Sequence, residues 1–236
     1  MTEKSQFSHD TVHSSNDVAN NKDGYRWVMF VAGPSATGKT TIAKFLADNV
    51  DAQFLEGDDV CSAEQSNLHS LLDPVTRFVS ANRFHVQYHP KANVAKMHRG
   101  EPLTDADRRG WLEALGEHSS VHPEQDGSRH LIITCSALKR GYRDLLRKGC
   151  HDSGDLQVGF IFLDAPESVL HERAAKRQGH FAKTNLVHSQ CEIIERPGLD
   201  EPDTIIVPTN MPLVEVQEES LSAVKALFGE NKTLNH

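Results

Sequence analysis

The sequence predicts an α/β fold in which one five-stranded parallel sheet carries helices on both faces. Apolar runs alternate with helix-like stretches along the chain, the order expected of strands joined by crossover helices. The first run is continuous rather than alternating in polarity, which marks a central strand covered on both sides. That strand is Arg26–Ala32 (RWVMFVA). The next is expected at residues 53–57, and the remaining three at 131–135 (LIITC), 158–163 (VGFIFL) and 204–207 (TIIV), each ending where polar residues appear.

Helices fill the intervals. The first is predicted over 39–49, with Ile42, Ala43, Leu46 and Val50 as its apolar stripe. Others are expected at 105–117, 141–147, 167–178 and 213–228, with Pro166 just ahead of the fourth. The chain contains no internal repeat and no low-complexity block.

The chain has 236 residues, 38% of them hydrophobic and 25% charged, which suits one ordinary core under a solvated surface. No apolar run approaches membrane-spanning length. A net charge of -8 argues against broad nucleic-acid binding, so an anionic ligand must meet a local positive site. Cys61, Cys135, Cys150 and Cys191 lack metal-ligand spacing, and no apolar signal core opens the chain. A cytoplasmic location is the expectation. Residues 1–24 are rich in Ser, Asn, Asp and His without apolar periodicity, so they read as a disordered tail ahead of a domain at 25–229. Residues 230–236 read as a second tail.

Residues 33–40, GPSATGKT, match the P-loop pattern in full, between a buried strand and a helix. Backbone N–H groups of such a loop and the positive end of the helix converge on one point, where nucleotide phosphates bind. Gly33, Pro34, Ser35, Ala36, Thr37, Gly38, Lys39, Thr40 and Thr41 are therefore candidate nucleotide contacts. Lys39 would follow the transferring phosphoryl group, and the Thr40 hydroxyl would ligate Mg2+. Gly33 and Gly38 permit backbone geometries that a side chain obstructs. Ala36 stands where many such loops carry a third glycine.

No Asn-Lys-x-Asp segment for guanine recognition is present, and the chain is too small for a motor, so ATP is the expected nucleotide. Three blocks narrow the class further: HPKANVAKMHRGEPLTDADRRGWLEAL at 89–115, CSALKRGYRDLLR at 135–147 and GHFAKTNLVHSQCEIIERPGLDEPD at 179–203. With the P-loop, these closely resemble the gluconate kinase (gluconokinase) family, relatives of shikimate and nucleoside-monophosphate kinases. The resemblance runs over about residues 28–227.

It implies a P-loop kinase fold with a mobile lid at 173–198, and transfer of the γ-phosphoryl of ATP to the 6-hydroxyl of D-gluconate, feeding the pentose phosphate pathway. A homodimer is also suggested. Gluconate carries a carboxylate and five hydroxyls, so its site needs cations for the acid and a carboxylate for the attacking hydroxyl. Lys39, Asp58 and Arg108 are the candidate catalytic residues. Asp58 would take the hydroxyl proton, Arg108 would hold the substrate carboxylate, and His89, Lys96, Lys139 and His180 would add contacts. Glu56, on the same strand face as Asp58, would stand near the metal with Thr40. Arg173 and Arg177 in the lid would meet the nucleotide, beside Lys176. Gly110 replaces a proline common in the family after the arginine, which would loosen the entry to this helix. Rival readings are a kinase for another polyol acid such as shikimate, or a catalytically silent nucleotide-binding protein.

Residues 60–87 interrupt the resemblance, and their removal restores EGDDYHPKAN, the contiguous block gluconate kinases show. The segment has no clear amphipathic pattern and falls beside Asp58. We read it as a translated, unspliced intron, since Val60-Cys61 can be encoded by GTATGT, Gln87 by CAG, and Ala81-Asn82 by a branch-point-like GCTAAC. The alternative is a regulatory or lid-like insertion.

Overall fold

The computed structural model describes residues 25–57, 91–99, 101, 103–121, 128–150, 156–176 and 181–230. The expected tail at 1–24, the interruption at 60–87, residues 231–236, and Asp58, His89, Arg177 and His180 lie outside the described residues.

In chain order the elements are β1 (Arg26–Ala32), α1 (Lys39–Asn49), β2 (Ala52–Glu56), α2 (Lys91–His98), α3 (Asp105–Val121), β3 (His130–Thr134), α4 (Arg140–Gly149), β4 (Leu156–Asp164), α5 (Glu167–Lys176), α6 (Phe181–Ile193), β5 (Thr204–Pro208) and α7 (Leu213–Glu230). The strands form one parallel sheet in the order β2-β3-β1-β4-β5. All five carboxyl ends therefore share one edge, where ligands of open α/β sheets bind.

Alternation along β1 divides the core. Val28, Phe30 and Ala32 pack with Trp111, Leu112, Leu115 and Leu146 on the α3 and α4 side. Trp27, Met29 and Val31 pack with Ile42, Leu46, Val224 and Leu227 on the α1 and α7 side. This two-faced burial explains the unbroken apolar run of β1.

Three expectations need correction. The fully buried stripe of α1 is Ile42, Ala43, Leu46 and Ala47; the helix ends at Asn49, and Val50 packs against the same core as its C-terminal cap, donating its N–H to Leu46 O at 3.0 Å. Helix α7 continues through Glu230, into the expected tail. Gly110 is not at a helix entrance but inside α3, where a Cβ would meet nothing within 4 Å.

Candidate active site

The loop after β1 is fixed from several sides. Gly33 has φ 134°, and a Cβ there would stand 2.3 Å from Leu163 O, so only glycine fits between β1 and β4. Its N–H donates to Ser136 O at 3.1 Å. The Ser35 N–H donates to Gln190 Oε1 at 2.7 Å, and Thr37 Oγ1 to Pro34 O at 2.9 Å. Gly38 caps α1 in the left-handed region with φ 95°. Ala36 also takes positive φ, 68°, so the loop keeps the conformation that the missing third glycine would have eased. Lys39 Nζ donates to Pro34 O at 3.1 Å, back across the loop.

Thr40 and Glu56, far apart in sequence, meet at the sheet edge: Thr40 Oγ1 donates to Glu56 Oε2 at 2.7 Å. Thr134, paired with Glu56 in the β2–β3 register, donates its hydroxyl to Glu56 Oε1. A hydroxyl beside a carboxylate is a hard-oxygen donor set, which fits Mg2+ with its retained waters. Gly57, next after Glu56, leaves no room for a side chain, since a Cβ would stand 2.1 Å from Thr134 O. The Trp111 indole N–H donates to Gly57 O at 3.3 Å and so ties the end of β2 to α3.

A second group of charges stands at the start of α3. Thr104 and Asp107 form a reciprocal cap: Asp107 Oδ2 accepts from the Thr104 N–H at 2.9 Å, and Thr104 Oγ1 accepts from the Asp107 N–H at 3.2 Å. Lys96 donates to both Asp107 oxygens at 2.8 Å, and its hydrogen bond is the main reason the Asp107 pKa falls to about 2. Lys139 donates to Asp105 at 2.8 and 2.9 Å, and Tyr142 OH joins at 2.5 Å. Those two bonds, Lys139 first, hold the Asp105 carboxyl below its ordinary range. Arg108 is 7% exposed, donates Nη1 to Leu103 O and lies 5.8 Å from the Tyr142 ring centre. Lys96, Arg108 and Lys139 thus belong to one cluster, although the two lysines already have carboxylate partners that the sequence reading did not assign.

The loop between β3 and α4, which carries Ser136 and Lys139, is held by a buried ion network. Arg143, fully buried, donates to Glu201 at 2.7 and 2.6 Å and to the Ala137 carbonyl at 3.1 Å. Arg147 joins at 2.8 Å to Glu201 and at 2.7 Å to Asp203. Such a pair positions more than it stabilises, because desolvation offsets much of the attraction.

On the other side of the P-loop lies a cleft of about 330 Å3 lined by Ala36, Thr37, Gly38, Thr41 and Ile42 and closed by Arg173, Lys176, Thr209, Met211, Leu213 and Val216. Arg173 is fixed there by donating to the carbonyl and, at 3.3 Å, the hydroxyl of Thr209. Its apolar walls beside the phosphate loop suit the base and ribose of a nucleotide. The sequence singles out Arg173 but not Thr209, Met211 and Leu213, which line the same cleft and follow an unremarkable edge strand.

The AAA domain family model matches residues 28–195. The chain is 33% identical to the thermoresistant gluconokinase of Escherichia coli, over 87% of this chain and 96% of that one. It is 35% identical to the gluconokinase of Gluconobacter oxydans, over 80% and 87% respectively. The chain belongs to the gluconokinase family. A gluconokinase structure from Sinorhizobium meliloti superposes with a TM-score of 0.67 at 32% identity, covering 90% of this chain and 99% of that one. Similarity on that scale carries the P-loop kinase fold of gluconokinases over nearly the whole length. No helix among the described residues is long and apolar enough to cross a membrane.

Proposed function

We propose that this protein phosphorylates D-gluconate at its 6-hydroxyl with ATP, giving 6-phospho-D-gluconate and ADP. The observation that carries this reading is an intact phosphate loop, with Lys39 and the Thr40–Glu56 pair beside it, in a gluconokinase-family chain. The cluster of Lys96, Arg108 and Lys139 at the start of α3 supplies cations for an acidic substrate.

Backbone N–H groups of residues 36–41 cradle the β- and γ-phosphates, and the cleft under Arg173 takes the base. Lys39 stabilises charge on the transferring group. Arg108 pairs with the gluconate carboxylate, and Lys96 and Lys139, held by Asp107 and Asp105, line the polyol. The 6-hydroxyl oxygen forms a bond to the γ-phosphorus as the bond to the β-phosphate oxygen breaks. The hydroxyl proton passes to Asp58, and ADP leaves with that electron pair. Thr40 and, through water, Glu56 would hold Mg2+, which neutralises phosphate charge when bound. His89, Arg177 and His180 are assigned further contacts by the family resemblance. The reaction uses a soluble substrate and needs neither membrane nor nucleic acid; we assign the protein to the cytoplasm from its cysteine usage and to a homodimer from the family resemblance.

An acceptor panel with coupled detection of ADP tests the assignment. Gluconate is expected to give the highest kcat/KM, well above other sugar acids and shikimate. Equal or better turnover of shikimate or another polyol acid would overturn the substrate. Tight ATP binding without turnover on any acceptor would overturn the activity.

A further inference from the structure

Helices α5 and α6 meet over a small apolar cluster of Ala165, Leu170, Ala174 and Val187. At the margin of that contact three side chains converge that the phosphoryl transfer does not use. Glu167 and His171 stand one turn apart on α5, and His188 reaches them from α6. A single oxygen, Glu167 Oε1, is met by His188 Nδ1 at 2.8 Å and by His171 Nε2 at 3.1 Å. One donor atom from each of the three lies within 4.8 Å of the others. On its far side, His188 Nε2 faces Glu192 Oε1 at 3.6 Å.

We propose that Glu167, His171 and His188 form a binding site for a divalent cation of the Zn2+ class. Two imidazole nitrogens and one carboxylate oxygen are a borderline donor set that favours Zn2+, Co2+ or Ni2+ over Mg2+. Ligands of a tetrahedral Zn2+ stand roughly 3.3 Å apart, so the 2.8 and 3.1 Å contacts to Glu167 need to open by a few tenths of an ångström, and the two imidazole nitrogens, within 4.8 Å of each other, need to reach the same separation. Small rotations of exposed side chains supply that. Glu192, now 3.6 Å from His188 Nε2, would on closer approach accept its N–H and fix the tautomer that leaves Nδ1 as the ligand. Cys191, three residues beyond His188, packs into the apolar cluster instead, and burial raises its thiol pKa, so the donors are nitrogen and oxygen alone. Three protein ligands leave one position for water.

The site joins two helices that touch the nucleotide region separately. Arg173, two residues after His171, closes the nucleotide cleft, and Gln190, two residues after His188, holds the Ser35 N–H. A cation bridging α5 and α6 would tie these two contacts together. The inference rests on the helix pair alone and stands whether or not gluconate is the substrate.

Titration of the full chain with Zn2+ by calorimetry, and with Co2+ by visible absorption, both in excess Mg2+, tests it. The expected result is one Zn2+ component, and tetrahedral Co2+ bands, that weaken at least about tenfold in both His171→Ala and His188→Ala. Thermal unfolding of the metal-free variants checks their folding, and the exposed His188 also permits His188→Gln as a milder change. Zn2+ binding of unchanged affinity and stoichiometry in the folded variants would overturn the site. So would Zn2+ binding that excess Mg2+ abolishes in the wild type.

Discussion

Thr40 Oγ1 and Glu56 Oε2 are 2.7 Å apart, which places the hydroxyl that ends the phosphate loop against the carboxylate that ends β2. Thr134 holds the other oxygen of Glu56, so the carboxylate is aimed from two sides. Glu56→Gln keeps the shape and removes the charge. We expect kcat to fall at least about tenfold and the Mg2+ concentration for half-maximal rate to rise, with thermal stability nearly unchanged. Rate measurements across a Mg2+ series check this; an unaltered Mg2+ dependence excludes Glu56 from the metal site.

Arg108 is buried against Tyr142, where a flexible ammonium cannot reproduce a planar fork of donors. Arg108→Lys is expected to raise the gluconate KM about tenfold or more while leaving the ATP KM within about twofold. Steady-state kinetics with each substrate varied in turn gives the answer. A selective rise in ATP KM contradicts the assignment.

The Glu201 carboxyl is held at a pKa of about 2, chiefly by its hydrogen bonds from Arg143 against the opposing cost of burial. Its folded value is lower than the ordinary 4.5, so its stabilising contribution is complete above pH 4.5 and is lost as pH falls toward 2. Glu201→Gln leaves the fully buried Arg143 short of a counter-charge and is expected to cost about 3 kcal/mol in urea unfolding at pH 7. The difference from wild type should narrow as pH falls below 4.5. A variant as stable as wild type at pH 7 removes the network from the account of the β3–α4 loop.

Much of this arrangement was legible in the sequence. The unbroken apolar run of β1 and the glycine at the start of α1 placed both elements to the residue. The sequence shows α6 only as part of a lid because its apolar residues, among them Leu186, Val187 and Cys191, form no one-sided stripe, and it packs on a small side cluster through Val187 and Cys191 rather than on the main core. Thr134 as the partner of Glu56 needs the β2–β3 register, which apolar patterning does not supply. The lysine pairs with Asp105 and Asp107 were hidden for a similar reason: Lys139 comes from the far end of β3, and only the fold brings it to α3. The Thr104–Asp107 cap, by contrast, was present as a Thr-x-x-Asp signature.

The interruption at 60–87 begins just past Gly57, whose carbonyl is already fixed by Trp111. The retained-intron reading predicts that a chain lacking residues 60–87 has a lower gluconate KM and a higher kcat than the full chain. Kinetics of both forms test the consequence, and sequencing of the gene and its mature transcript tests the origin. A Val60 codon other than GTA or GTG, or a fully active long form from an abundant transcript, excludes the intron.

The most direct measurement follows the phosphorus itself, by 31P NMR of a reaction with ATP, Mg2+ and D-gluconate labelled with 13C at position 6. A phosphomonoester coupled to carbon 6 is expected to appear as ADP forms, and to be absent with Lys39→Ala, a variant that should retain the wild-type fold. Inorganic phosphate as the only product, or an ester on another carbon, would contradict it.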